Sequence, residues 1–363
     1  MSVGHIRAIA FLLPQFHPIP ENDEWWGKGF TEWTNVTKAR PLFEGHYQPH
    51  LPADLGFYDL RLPEAREAQA TLAREYGVYG FCYYHYWFNG HRILERPINE
   101  VLSSGKPDFP FCLCWANENW SRRWDGRNEE VLLAQTYSPE DDIAHIRALK
   151  QYFDDPRYIR LNDKPLMLIY RASNLPDPAG TVARWRAEAK KLGLPGIHLC
   201  NVESTPIDRG MTVTAGFDAA VEFAPDWSGF KDGLHRSTSW RIACKLRLAN
   251  PAYLENHVSH YADTMRYMLT KLPVDYLQYP CVTPSWDNAA RRQRGATILA
   301  GSTPDLYGQW LREIVKRTRE RPAEQQLVFI NAWNEWAEGN HLEPCIRWGR
   351  RYLDETRSAL NAE

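Results

Sequence analysis

Eight short apolar runs punctuate the 363-residue chain, and amphipathic segments separate most of them. The runs are Ile6–Leu13, Val78–Tyr86, Phe109–Ala116, Lys164–Arg171, Gly196–Glu203, Phe217–Ala224, Val274–Pro284 and Gln326–Trp333. Several are apolar at nearly every position, the pattern of strands covered on both faces. Between them, Leu62, Ala65, Ala68 and Leu72 recur at helical spacing in the segment Pro63–Glu75, which runs into Gly77. Ser138-Pro139-Glu140-Asp141 reads as a capping box with Pro at the first helical position, and opens a helix through Phe153. Thr181 is expected to cap a helix that ends at Leu192 before Gly193. Further helices are expected over Tyr253–Leu272, Thr303–Arg319 and Trp348–Leu360, while Ser204–Ala215 is the weakest helical unit. Strand–helix alternation repeated about eight times predicts an α/β fold, a single (β/α)8 TIM-type barrel with long βα loops over residues 1–363. An open doubly wound sheet would usually show a glycine-rich phosphate turn after strand one. Here that strand runs into PQFHPIPENDEWW.

The apolar fraction of 44% and charged fraction of 24% are those of a soluble globular protein. A net charge of −2 and the lack of a nucleic-acid motif argue against a polyanion-binding role. The seven cysteines are odd in number and mostly sit in or beside strand-like runs, as buried free thiols of a reducing compartment do. None has zinc-site spacing, and His46 and His50 in GHYQPH have no carboxylate set with ligand spacing, so no metal and no cofactor are expected. The apolar run near the N-terminus is too short for a signal peptide, and no stretch approaches the roughly 18 apolar residues of a membrane span. The expectation is a cytoplasmic protein without a membrane span, monomeric or weakly oligomeric.

The loops after strands one (Pro14–Leu62), three (Asn117–Thr136) and six (Pro225–Asn250) are long. In a barrel, such loops cover the C-terminal face, where active sites sit. Many of the 15 tryptophans fall at these strand ends: Trp25, Trp26, Trp33, Trp87, Trp115, Trp120, Trp124, Trp227, Trp286, Trp333 and Trp336. Gln15, His17, Glu32, His85, Asn117, Glu118, Glu203, Glu222 and Asp287 ride with them. Indole faces beside carboxylates and amides suit a sugar, which offers C–H faces to the ring and hydroxyls to the polar groups. Core packing beneath the loops is the competing account of any single Trp. His85 reads either as a sugar contact or as a hydrogen-bonded core histidine, and Glu118 as a residue that orients a hydroxyl.

The segment Asn331–Pro344, NAWNEWAEGNHLEP, holds the most pointed candidates. Glycoside cleavage needs an acid on the leaving oxygen and a second carboxylate at the reacting sugar. Glu335 and Glu338 stand three apart, so a helical turn after strand eight would put both on one face. Such a pair can split its pKa values, leaving one acid and one base. Trp333, Asn334 and Trp336 are expected to contact the sugar beside them. Glu343 reads as a loop-fixing or sugar-contacting residue.

Five spaced stretches, LPQFHPIPENDEWWGKGFTEWTNV, GHYQPHLPADLGFYDLR, GFCYYHYWFNG, CWANENWSRRWDG and NAWNEWAEGNHLEP, together resemble the WbsX-type proteins, a glycoside hydrolase family 99-like group. The resemblance runs from about residue 6 to residue 350. Family 99 comprises endo-acting α-mannosidases on (β/α)8 barrels. The resemblance therefore implies a metal-independent retaining glycoside hydrolase that acts on a bacterial oligosaccharide or polysaccharide. It implies that Glu335 assists the sugar's own 2-hydroxyl to attack the anomeric carbon, giving a 1,2-anhydro sugar, and that Glu338 is the acid/base. The family usually has His between the Trp and the second Glu, where this chain has Ala337. The competing readings are a cytoplasmic glycosyltransferase of O-antigen or capsule assembly, a label WbsX-type proteins often carry, and a non-catalytic glycan-binding barrel.

Overall fold

The computed structural model describes residues 6–121, 130–229, 233–292 and 294–362. Nine parallel strands form one sheet that curls into a nearly closed barrel. They are β1 (Arg7–Leu12), β2 (Val78–Phe88), β3 (Phe111–Trp115), β4 (Lys164–Ile169), β5 (His198–Glu203), β6 (Ala219–Glu222), β7 (Gln278–Tyr279), β8 (Cys281–Val282) and β9 (Leu327–Ile330). Their order across the sheet is β7-β6-β5-β4-β3-β2-β1-β9-β8. The short pieces β7 and β8 flank Pro280 and act as one stave: β7 pairs with β6, and β8 pairs with β9. Proline has no N–H to give a ladder, which interrupts the stave there. The Pro280 carbonyl still accepts from the Phe329 amide at 2.8 Å. With that stave counted once, the eight expected strands are all present, and the fold is a (β/α)8 barrel.

The helices that cover the barrel begin much as the sequence suggests. They include α1 (Pro63–Glu75), α2 (Arg96–Ser104), α3 (Pro139–Phe153), α4 (Pro178–Lys191), α5 (Met211–Ala215), α6 (Tyr261–Thr270), α7 (Pro304–Arg319) and α8 (Arg351–Asn361). Ser138 caps α3 by accepting from the Asp141 amide at 3.1 Å, and Thr303 caps α7 by accepting from the Leu306 amide at 3.3 Å. Three expectations need correction. Helix α4 starts earlier, at Pro178, because Asp177 caps it through the Gly180 amide at 2.9 Å. Helix α2, between β2 and β3, had no sequence assignment. The stretch Tyr253–Leu272 is not one helix. It is a short helix Ala252–Glu255, a strand His257–His260 and then α6. That strand pairs in parallel with Thr297–Ala300, and Asn256 holds the junction by accepting from the Ala296 amide at 2.9 Å. The doubtful unit Ser204–Ala215 forms a 3-10 turn, Pro206–Asp208, and the five-residue α5.

The core follows the barrel wall. Most β1, β3, β4, β5 and β9 residues have almost no exposure, as expected where helices cover one face and packed side chains fill the other. Inside, Phe11 stacks on Tyr84 with centroids 5.5 Å apart and meets Phe223 and Phe329 at 6.4 and 5.7 Å. All seven cysteines are free thiols, and all but Cys244 are buried. No helix among the described residues is long and apolar enough to cross a membrane.

Candidate active site

The C-terminal ends of the strands open into a cleft of about 430 Å³. Tyr84, Tyr86, Tyr170 and Phe223 line it, together with Trp120, Trp227 and Trp286 from three different loops. Tyr170 packs edge-on against both Tyr84 and Phe223, at 5.9 and 5.6 Å. Trp227 and Trp286 meet edge to face at 5.0 Å. Polar groups enter between these rings: Glu118 paired with Arg171 at 3.2 Å, then Asn331, Arg291, Arg292, Glu335 and Glu338.

The two glutamates sit on a tight hairpin beyond β9. Asn334–Glu335 pairs antiparallel with Asn340–His341, and a 3-10 turn over Trp336–Glu338 joins them. Gly339 ends the turn at φ 56°, a left-handed conformation that suits glycine. The turn brings both carboxylates to one guanidinium. Arg291 Nη2 donates to Glu335 at 2.9 Å and to Glu32 at 2.6 Å, and its Nη1 donates to Glu338. Glu32 is fully buried on the loop helix Glu32–Lys38, and the same oxygen also accepts from the Ala337 amide at 3.1 Å. Three carboxyl groups therefore share one cation. Burial and the neighbouring Glu338 charge push Glu335 up to about 8, although Arg291 pulls it down. Burial raises Glu338 as well, with Arg291 again opposing.

A second set of bonds holds this hairpin to the barrel. Asn334 accepts from the Leu13 amide at 2.7 Å and donates back to the Leu13 carbonyl at 3.0 Å. Glu343 is buried and accepts from Trp336 Nε1 at 2.6 Å, Gln69 at 2.7 Å and the Tyr58 hydroxyl at 2.9 Å. Trp336 stacks on His341 at 3.7 Å and packs against Trp33 at 5.5 Å. The Asp287 amide donates to the Glu338 carbonyl at 2.6 Å.

The expected site residues divide sharply. Glu335, Glu338, Glu118 and Trp286 line the cleft. The others among the expected sugar contacts do not line it. His85, Trp87 and Trp115 are turned away: His85 hydrogen-bonds His145 at 2.9 Å, and Trp87 lies flat on His145 and donates to Asp141 at 2.9 Å. Trp115 stacks on Trp185 at 5.8 Å. The cause is strand alternation. Tyr84 and Tyr86 point into the barrel, so His85 and Trp87 must face the helices. Asn117 clamps the backbone of Arg171 by bonds of 2.8 Å in both directions. Trp33, Trp333, Asn334 and Trp336 are buried behind the hairpin, and Gln15 and His17 are buried beside the first loop. His46 and His50 go to Asp287 at 2.6 Å and to His341 at 2.9 Å. Trp124 lies outside the described residues.

The sequence left Arg291, Arg292, Tyr170 and Phe223 unassigned as site residues, and pointed to Tyr84 and Tyr86 only as companions of His85. A signal for the tyrosines existed in the period-two pattern of VYGFCYYHYWF, which fixes that Tyr84 and Tyr86 share a face. Arg291 had none, since RRQR reads as an ordinary solvated charge run.

Residues 8–356 match the family model described as Glycosyltransferase WbsX. The chain belongs to the WbsX family. The match spans all five stretches that carry the sequence resemblance. Two curated relatives, each named uncharacterized protein WxcX and from Xanthomonas campestris pv. campestris strains B100 and ATCC 33913, are 48% identical over 353 residues. This covers 97% of the present chain and 49% of each relative, so the chain spans about half the length of the curated relatives it matches. Among solved structures, a glycoside hydrolase-like protein superposes with a TM-score of 0.62 at 13% identity, covering 100% of this chain and 96% of that one. The GH99 endo-alpha-mannosidase of Bacteroides thetaiotaomicron superposes with a TM-score of 0.58 at 15% identity, covering 98% and 99%. These likenesses concern the fold. In this WbsX-family chain Ala337, where family 99 usually has His, is fully buried and faces Glu32 through its amide. It is not among the residues that line the cleft.

Proposed function

We propose that the protein is a carbohydrate-active enzyme, a retaining glycoside hydrolase of a bacterial oligosaccharide or polysaccharide, with Glu335 and Glu338 as its catalytic pair. The observation that carries this reading is the pair itself: two carboxyl groups on one turn, Glu335 buried and Glu338 half-buried, joined by Arg291 in a cleft walled by aromatic rings. The aromatic faces would receive the C–H faces of sugar rings, and Glu118, Arg171 and Asn331 would take hydroxyls. Burial raises both acids, Glu335 to about 8, so near neutral pH the pair holds one proton between them. A sugar 2-hydroxyl that donates to Glu335 favours the ionised carboxylate and shifts that proton to Glu338. Glu335 then takes the 2-hydroxyl proton as O2 bonds to the anomeric carbon. The glycosidic bond breaks, and the leaving oxygen takes the proton of Glu338. Water, deprotonated by Glu338, opens the 1,2-anhydro sugar at the anomeric carbon, and O2 recovers its proton from Glu335. Two displacements retain configuration, a substrate-assisted variant of the two-carboxylate scheme. We place this chemistry in the cytoplasm, in keeping with seven free thiols.

The family's description favours a second reading, transfer of a sugar from a nucleotide donor. One experiment separates the two. Wild type, Glu335→Gln and Glu338→Gln are incubated with defined oligosaccharides, and the anomer formed first is read by NMR. Hydrolysis with retention, lost by at least about a thousandfold in both variants while each stays folded, is the expected result. Full activity in either variant, or an inverted first product, would overturn the assignment. Turnover only with a nucleotide sugar would replace hydrolysis by transfer.

A further inference from the structure

The long loop after β6 carries a helix, Thr238–Lys245, that has no buried residue. Trp240 pins it by stacking on His235 at 4.2 Å and meeting Tyr253 edge-on at 5.8 Å. At 3.6 residues per turn, Cys244 shares that inner side, while Ile242 and Leu246 lie roughly 200° and 240° round the axis from Trp240. Both are more than half exposed, at 54% and 63%, and Leu248 just beyond is 78% exposed. Arg241 and Lys245 occupy the strip between the pinned side and the apolar side. With Arg236 and Leu254 they line an open depression of about 490 Å³.

Charge sets this segment apart. From Gly233 to Leu254 it contains Arg236, Arg241, Lys245 and Arg247 and not one Asp or Glu, in a chain whose net charge is −2. Among the described residues, Arg241, Lys245 and Arg247 have no ion-pair partner. Glu255, the next acid along the chain, is taken by Arg294 at 3.6 Å. Exposed leucine and isoleucine beside unneutralised cations is the composition of a helix that lies in a membrane interface, apolar side down and cations among anionic headgroups. A protein partner would need an acidic rim around an apolar pocket, whereas an anionic bilayer supplies both features over any area.

We propose that Thr238–Lys245 with its continuation to Leu248 is a peripheral docking surface for an anionic lipid bilayer. Ile242, Leu246 and Leu248 enter the interface, and Arg236, Arg241, Lys245 and Arg247 meet the headgroup phosphates. The same loop supplies Trp227 to the cleft wall. This inference does not depend on which glycan reaction the cleft performs.

The test is co-sedimentation of the full chain with vesicles of pure phosphatidylcholine and of phosphatidylcholine containing phosphatidylglycerol. The expected result is binding to the anionic vesicles only, weakened as salt is raised. Arg241→Glu/Lys245→Glu should weaken it by roughly tenfold or more. Ile242→Ser/Leu246→Ser should also release the protein, with its thermal midpoint and its cleft activity unchanged. No binding to anionic vesicles at low salt, or binding that both double variants retain, would overturn the proposal. So would a wild-type dimer, seen by light scattering, that the serine variant dissociates, since this face would then belong to a second copy of the chain.

Discussion

Arg291 is the residue on which the acid pair depends. A guanidinium presents its donors in a rigid fork, so one side chain can hold Glu32, Glu335 and Glu338 in fixed relative positions. It also opposes the upward shift that burial imposes on both catalytic candidates. Arg291→Met should therefore act in two ways. It leaves the buried Glu32 and Glu335 and the half-buried Glu338 without their cation, which costs about 3–5 kcal/mol near neutral pH. It also raises Glu335 and Glu338 further, so the rising limb of the activity–pH profile should move up by about one unit or more. Denaturation at pH 7 and pH 5 checks the first effect, which should shrink at pH 5 as the carboxyls protonate. A profile that stays in place would show that Arg291 does not tune the pair. At this scale the sequence exposed the acids but hid their cation. Glu335 and Glu338 stand out because tryptophans surround them, whereas an arginine among arginines and glutamines resembles any solvated surface run.

At the scale of elements, the hairpin after β9 converts a buried strand into a presented site. Asn334 and Glu343 tie its two arms to Leu13 just beyond β1, to Tyr58 and to Gln69, and the turn between them projects Glu338 toward the cleft. Gly339 closes that turn in the left-handed region. A Cβ there would lie 3.0 Å from Asp287 Cβ and 3.3 Å from His50 Cε1. Gly339→Ala should cost about 1–3 kcal/mol from backbone strain and crowding together. It should also lower kcat by displacing Glu338, with a smaller effect on KM. Unaltered kinetics in a folded variant would mean that the turn tolerates adjustment without moving the acid. The sequence made this element visible but not its depth. Trp333, Asn334 and Trp336 belong to the bracing side of the hairpin, because burial is decided by loops packed from far along the chain. The same limit applies to β2, where the aromatic run was plain and the choice of face had to come from alternation. It applies again to His257–His260, a four-residue strand whose pairing partner lies some forty residues on and so leaves no local trace.

For the whole molecule, the barrel was legible because its strands are buried on both faces and stand out as apolar runs. The Pro280 break lies inside one of them and is invisible to hydropathy. What the sequence does not display is how many titratable groups the closed structure removes from water, and these govern its response to pH. Burial pushes His85 down to about 3 and His341 down to about 4, and it lowers His50 and His145 strongly, all from an ordinary 6.5. Unfolded, these four take up protons as pH falls through 6.5, and folded they do not, so their stability is present above that value and lost below it. Glu335 and Glu343 shift the other way, from 4.5 up to about 8 and about 7. Their folded forms keep protons that the unfolded chain has released, so that contribution is intact below 4.5 and lost as pH rises toward 8. Among these six groups the histidines outweigh the carboxyls below about pH 6, and the carboxyls take over once the unfolded histidines are neutral, which puts their combined optimum between about pH 6 and 7. Urea denaturation from pH 4 to pH 9 should trace a curve that falls on both sides. Glu335→Gln should flatten its alkaline limb and steepen the acid limb above about pH 4.5, where Glu335 opposes the histidines. A wild-type curve that stays level from about pH 6.5 to pH 8 would mean that the two glutamates are ionised in the folded state, and the raised values of Glu335 and Glu343 would have to be withdrawn.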